Sequence, residues 1–283
     1  MRHGETEANA GRITQGQQHG RLTRTGAAQA ASLGARLRLE HAARPFDVVL
    51  CSDLLRCRQT CSLATRHWRP RPPAFFRTDE GLRERSVGIY EGLPHHAPRA
   101  PRPPGVPARA YRVPRGESWE DVNKRARRLL LRLGGTFVSG KGRRDGDKTA
   151  PESAPPKKPA SGRVSPSKDE PPPPRDDSRL RVLVVTHGGF IMETVNAARG
   201  ADGHRVPFAE NGAYNTAIYK FELTKEPQHD RLCCRVLSAN DASHLQRFRE
   251  QSSDFDLMNE RPALVDECCG DQWWCDNPDA ETP

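Results

Sequence analysis

Residues 46–56 read FDVVLCSDLLR: an apolar run, Phe46–Cys51, stops at Ser52-Asp53 and passes at once into a helical stretch, Leu54–Arg66. A short apolar strand that turns directly into a helix is the repeating unit of an α/β sheet, and Ser52 stands where an N-cap is expected. The unit recurs at 182–196. There the β-branched run Val182–Thr186 ends at His187-Gly188-Gly189 and turns helical through Asn196. Between the two, Ser118 with Asp121 three residues on reads as a capping box. Behind it Val122, Ala126, Leu129, Leu130 and Leu133 keep helical spacing. Ala30, Leu33 and Leu37 mark another helix after Thr25-Gly26, and Thr216–Phe221 and Leu232–Leu237 read as two further strands. The alternation predicts an α/β fold in which residues 1–133 and 180–245 make one domain.

The chain has 283 residues, of which 35% are apolar and 25 are proline. That is enough apolar content for one core, but not for a chain packed throughout. The shortfall has an address. Residues 134–179 hold nine prolines, Pro171–Pro174 among them, and almost nothing large and apolar. Such a segment cannot bury enough surface to offset its ordering entropy, so a disordered insertion is expected. The Pro/Arg/Ala-rich stretch His95–Pro114 reads as a long irregular loop, and residues 246–283 as a C-terminal extension. No apolar run reaches the roughly 18 residues of a membrane span. Met1-Arg2-His3-Gly4 has no apolar stretch behind it, so no secretory signal is expected and the protein is read as cytoplasmic. The eight cysteines include no C-x-x-C pair. They are expected to be reduced, with Cys51, Cys57 and Cys61 in or beside regular structure and Cys268, Cys269 and Cys275 in the tail. No metal is expected.

The net charge of +9 is unevenly spread: residues 1–133 carry 25 basic and 12 acidic side chains, residues 180–283 carry 10 and 17. The basic arginines are scattered, with no interleaved aromatics and no helix-turn-helix or zinc-finger pattern. A small anionic ligand or a solvated basic surface is therefore preferred over nucleic acid.

In open α/β sheets ligands gather beyond the C-terminal ends of strands. Here those ends carry Ser52, Asp53 and Arg56, and elsewhere His187 before two glycines, which permit close backbone approach. The start of the chain adds Arg2-His3-Gly4-Glu5-Thr6, which resembles the signature of the histidine phosphatase superfamily, the phosphoglycerate-mutase-like enzymes. The resemblance recurs in order. Asn9 and Gln15-Gly16-Gln17 stand where the family places substrate contacts. Leu22-Thr23-Arg24-Thr25-Gly26 with Gln29-Ala30 is similar to its L-(T/S)-x-x-G-x-x-Q-A helix start, and Ser52-Asp53-Leu54-Leu55-Arg56 with Gln59-Thr60 to its second arginine block. Leu82-Arg83-Glu84-Arg85 through Gly88 to Glu91-Gly92 is similar to the block that carries its acid. Gly116-Glu117-Ser118 with Arg125, then Val185-Thr186-His187-Gly188-Gly189, follow, and Asn211-Gly212 precede the closing strand.

The resemblance implies a three-layer sandwich on a mainly parallel central sheet. It implies that His3 becomes a phosphohistidine, that Glu84 is proton donor and then base, and that His187 stabilises the phosphoryl group. Water then attacks the phosphohistidine. These residue types suit the chemistry. A neutral imidazole is a good nucleophile toward phosphorus, and Arg2 and Arg56 are forked donors for charge spread over phosphoryl oxygens. Asn9, Gln15 and Gly16 are the expected substrate contacts, and the scheme calls for no cofactor.

Within the superfamily the chain is most similar to the TIGAR-type fructose-2,6-bisphosphatases. That group also has a polar insertion before its second histidine and a D-H-L ending, echoed here by Asn240-Asp241 and Ser243-His244-Leu245. A phosphatase acting on fructose-2,6-bisphosphate or a related phosphate ester is expected. The alternatives are another phosphomonoesterase or mutase of the superfamily, or a degenerate, inactive binding protein.

Three departures from the pattern are visible. The family carries an apolar strand before Arg-His-Gly where this chain has Met1, so the first strand is expected to be missing and His3 to be poorly anchored. His95–Pro114 replaces a region that in relatives helps cap the site. Gln18-His19-Gly20-Arg21 replaces a D-x-P-L pattern.

Overall fold

Val48–Cys51 forms strand β1, buried along its whole length. In the computed structural model, which describes residues 1–44, 46–68, 75–135, 180–198, 213–225 and 232–246, β1 is the middle of a three-stranded parallel sheet. Its neighbours are β2 (Phe75–Thr78) and β3 (Val182–Val185), with Cys51 opposite both Thr78 and Val185. A central parallel strand is covered on both faces, which is why Val48-Val49-Leu50-Cys51 is apolar at every position.

Two helices cover each face. On one side α2 (Arg24–Ala43) and α3 (Leu55–Thr65) bring Leu33, Leu37, Cys57, Cys61 and Ala64 against Val49, Cys51, Leu183 and Val185. On the other, α4 (Trp119–Leu133) and α5 (Gly188–Ala198) bring Val122, Ala126, Leu129 and Phe190 against Val48, Leu50 and Leu82. This is the three-layer α/β arrangement expected. The Ser118–Asp121 capping box opens α4 with both of its reciprocal hydrogen bonds made. The last two strands, β4 (Ile218–Lys225) and β5 (Leu232–Asp241), pair antiparallel as a separate sheet. They begin or end a few residues away from the expected Thr216–Phe221 and Leu232–Leu237. Thr216 has φ +58°, incompatible with a strand, and β5 continues to Asp241 because alternation persists there.

Ser52 is not the cap of α3. The N-cap position falls at Leu54, which makes no side-chain cap, while the Ser52 hydroxyl lies 2.8 Å from a ring nitrogen of His187.

Between β3 and the start of β4 the chain's first residues fill the gap as a stub, not a strand: Arg2 forms an isolated parallel bridge with Thr186. The stub is nonetheless fixed on both sides. The His3 N–H donates to Thr186 O at 3.0 Å and the Arg2 N–H to Ala217 O at 3.2 Å, while His3 O accepts from the Thr216 N–H at 3.2 Å. The expectation that His3 would be unanchored is thus corrected: backbone hydrogen bonds to two neighbouring segments hold it.

His95–Pro114 contains no helix or strand, as expected, but it is tied down. Val113 packs with Val87 and Tyr90, and the Ala100 N–H donates to the Tyr90 hydroxyl at 2.8 Å. No helix among the described residues is long and apolar enough to cross a membrane. The insertion at 136–179, Asn211-Gly212, and the tail with Cys268, Cys269 and Cys275 lie outside the described residues.

Candidate active site

The site forms where the stub, the C-terminal ends of β1 and β3, and the turn after β2 meet. Gly4 sets the approach. A Cβ there would meet Gly26 O at 2.5 Å, so the chain after His3 packs backbone to backbone on the start of α2. The Gly4 N–H donates to Thr60 Oγ1 at 2.9 Å, fastening the same turn to α3.

His3 is 3% exposed. Its Nδ1 lies 2.7 Å from Gly4 O, an acceptor only, so Nδ1 carries the proton and Nε2 presents a lone pair. Burial, followed by the charges of Arg56 and Arg2, holds its pKa well below the ordinary value of 6.5, which keeps the ring neutral at pH 7.

His187, 0% exposed, stands edge-on to His3 with ring centroids 5.2 Å apart. Its Nδ1 accepts from Arg56 Nε at 3.1 Å, which leaves the proton on Nε2, 2.8 Å from Ser52 Oγ. Burial first, then Arg56 and the other nearby cations, lower its pKa as well. Both ring nitrogens therefore have protein partners. The sequence reading had His187 stabilising the phosphoryl group; in the structure its Nδ1 is engaged with Arg56 and its Nε2 with Ser52.

Arg56, 1% exposed, is held at three of its five N–H groups: Nε on His187, Nη1 on Gln18 O at 2.8 Å and Nη2 on Gly16 O at 2.8 Å. One N–H on each Nη is left over. Arg2 donates through Nη1 to Ala213 O, while its Nε is buried without a partner. Burial lowers the pKa of both arginines. The result is a buried cationic pocket with spare donors beside a neutral imidazole whose Nε2 carries a lone pair, an environment suited to a phosphoryl group.

Glu84 faces this pocket from the turn after β2. Its Oε1 accepts from the Arg85 N–H at 2.8 Å and its Oε2 from the Gly189 N–H at 3.0 Å. Arg125, from α4, grips the carbonyls of Gly81 (2.9 Å) and Arg83 (2.8 Å) and the Glu117 carboxylate, and so fixes the backbone that presents Glu84.

The substrate-contact candidates divide. Asn9 Oδ1 is taken by the capping box of the one-turn helix α1 (Glu7–Ala10), accepting from the Thr6 N–H at 3.2 Å. Gly16, at φ +51°, gives its carbonyl to Arg56. Gln15 Oε1 is buried without a hydrogen-bond partner. Arg85, which follows Glu84 in the acid-bearing block, stacks 4.3 Å over the Trp119 ring with its Nε buried and unpartnered. Ser52, placed by sequence at a strand end, touches His187, and Ala213 and Asn215, not singled out from sequence, touch Arg2 and His3. Ala213 acts through its carbonyl, which no residue type reveals.

Residues 1–137 match the histidine phosphatase superfamily (branch 1). Over 93 residues the chain is 42% identical to Broad-specificity phosphatase YOR283W of Saccharomyces cerevisiae, covering 33% of this chain and 39% of that protein. Over 135 residues it is 34% identical to Fructose-2,6-bisphosphatase TIGAR B of Danio rerio, covering 47% and 51%. The chain thus spans about half or less than half of these relatives' own length, 51% and 39%. Among solved structures, mycobacterial glucosyl-3-phosphoglycerate phosphatase superposes with a TM-score of 0.57 at 22% identity, over 85% of this chain and 96% of that one, a likeness of fold. The Arg2-His3-Gly4 turn and the first 137 residues are thus similar to the histidine phosphatase superfamily, and the three-layer sheet shares the fold of the solved phosphatase.

Proposed function

We propose that the chain is a phosphatase that forms a phosphohistidine at His3, acting on a phosphate monoester whose leaving group carries a second anion. The substrate class is a sugar bisphosphate such as fructose-2,6-bisphosphate, and its hydrolysis would lower glycolytic flux. The observation that carries this reading is the free Nε2 of a neutral His3 beside the unpartnered Arg2 Nε and the two spare N–H groups of Arg56.

His3 Nε2 attacks phosphorus and the ester P–O bond breaks. Glu84, protonated, passes its proton to the departing alkoxide. A water then attacks the phosphohistidine, Glu84 as carboxylate takes the water's proton, the P–N bond breaks, and orthophosphate leaves. Arg2 and Arg56 stabilise the phosphoryl oxygens throughout, and His187 holds Arg56 in place. The second anion is supported by Arg85, whose buried Nε lacks a partner beside the proton donor and whose pKa is lowered by burial and, to a lesser extent, by Arg99.

The test is rapid quench with 32P-labelled fructose-2,6-bisphosphate. An acid-labile, alkali-stable phosphoenzyme is expected, absent in His3→Ala, with turnover on a panel of sugar and glycerate phosphates. A chain that forms no phosphohistidine and hydrolyses none of the panel, while still binding orthovanadate, would be a ligand-binding protein instead.

A further inference from the structure

The carbonyl of the nucleophile is gripped by a strained turn far along the chain. Thr216 Nα–H donates to His3 O at 3.2 Å and Asn215 Nδ2 to the same oxygen at 3.1 Å. Thr216 does this at φ +58°, a conformation that a β-branched residue adopts only when its surroundings impose it. Its side chain shows what imposes it. Thr216 Oγ1 donates its one proton to Asn215 O at 2.7 Å, so toward His244 Nε2, 2.9 Å away, it can only accept. His244 is therefore the Nε2–H tautomer, with Nδ1 buried and unpartnered.

His244 is itself clipped to α2. Ser32 Oγ donates to His244 O at 2.9 Å. Arg36 spans both Asp241 oxygens, at 3.0 and 2.6 Å, and reaches Ser243 Oγ at 2.8 Å. The same helix begins at the Gly26 contact with Gly4. Helix α2 thus reaches His3 from two sides, directly after the nucleophile and through His244 and Thr216 behind it.

We infer that His244 is a positioning residue for the nucleophile: its Nε2–H locks the Thr216 turn, and that turn sets the backbone of His3. This rests on the phosphohistidine reading for its kinetic consequence but not for its geometry. It carries no proton of the reaction, so its loss should misplace the nucleophile and leave ground-state substrate binding intact.

The experiment compares His244→Ala, His244→Gln, Thr216→Val and the His244→Ala/Thr216→Val double variant. His244→Ala and Thr216→Val are expected to lower kcat about 10- to 100-fold with KM unchanged within about twofold. His244→Gln, which keeps an N–H donor, should recover most of the rate. The double variant should be no slower than the slower single, because both remove one contact. A multiplicative double variant, a glutamine as poor as alanine, or a rate loss that only follows the folded fraction measured by circular dichroism would overturn the assignment. A second readout needs no turnover: the ring 15N NMR shifts of His3. Wild type should show one tautomer, Nδ1–H, and Thr216→Val a mixture of the two. Absence of any phosphohistidine in wild type would remove the functional reading while the NMR comparison still decides the positioning role. Normal turnover with unaltered kcat and tautomer in the variants would remove the positioning role alone.

Discussion

A single methyl group separates Gly189 from alanine, and the site has no room for it. A Cβ there would collide with Glu84 Oε1 and come within 3.0 Å of the Trp119 ring, while the Gly189 N–H already holds Glu84 Oε2. Gly189→Ala is therefore expected to displace Glu84, the proposed proton donor, without disturbing His3. With a sugar phosphate, whose alkoxide must be protonated to leave, kcat should fall by roughly 10²-fold, within the range general-acid loss produces. With p-nitrophenyl phosphate, whose leaving group needs little protonation, the fall should be several-fold smaller. Steady-state kinetics on the two esters check this, and an equal loss on both would sink it. At this scale the sequence exposes side chains better than backbone. Arg56 and His187 stood out at strand ends, whereas His3 and Glu84 stood out only because their motifs, in order, resemble those of a known family. Ala213 and Thr216 did not, since each contributes a main-chain carbonyl or N–H that almost any residue could supply. Ser52 misled for a related reason: a hydroxyl just past a strand fits a helix cap and a histidine partner equally well until the third dimension separates them.

Composition alone gives the stretch His95–Pro114 its irregular backbone, yet not its fixed position. That position comes from tertiary contacts, chiefly Arg109, which pairs with Glu193 on α5. Glu193 is 2% exposed, and Asn123 Nδ2 (3.0 Å) and Asn196 Nδ2 (3.1 Å) complete its shell. Nothing in the one-dimensional pattern marks Glu193, since a glutamate in a helix reads as a solvated residue. Arg109→Ala would leave a buried carboxylate without its cation. Breaking a buried pair from one side costs about 3–5 kcal/mol, and because Arg109 is partly exposed we expect about 2–3 kcal/mol. Urea unfolding measures the loss, and limited trypsin digestion should show faster cleavage after Arg99 and Arg112. Adding Glu193→Gln to Arg109→Ala should recover part of the stability, because the uncompensated charge is then gone. The sheet elements were legible where packing on both faces demands a continuous apolar run, as in β1. They were less so in β4 and β5, where a turn residue at positive φ moved the boundary.

Among the described residues three histidines are buried as neutral rings: His3, His187 and His244, the last with its pKa lowered to about 4, mainly by burial and then by Arg36. Each resists protonation in the folded chain and accepts it freely, near pH 6.5, in the unfolded one. Below that pH the unfolded state binds more protons, so stability falls as pH falls and is fully present only above about pH 7. This is the reverse of a histidine stabilised by a nearby carboxylate. From pH 7.5 to 5.5 each such histidine removes about 1.4 kcal/mol, so the three together remove up to about 4 kcal/mol, a large part of a domain's usual ~5–15 kcal/mol. The carboxylate Asp241, whose pKa is depressed chiefly by its hydrogen bonds with Arg36, does not contribute in this window because it stays ionised in both states. Urea unfolding at the two pH values should show the drop. In His244→Gln the drop should shrink by about one third, since one of the three titrations is removed while the donor to Thr216 is kept. Equal stability at pH 7.5 and 5.5 would mean that the histidines are not held neutral in the fold, and that the free nucleophilic nitrogen assigned to His3 is not its resting state.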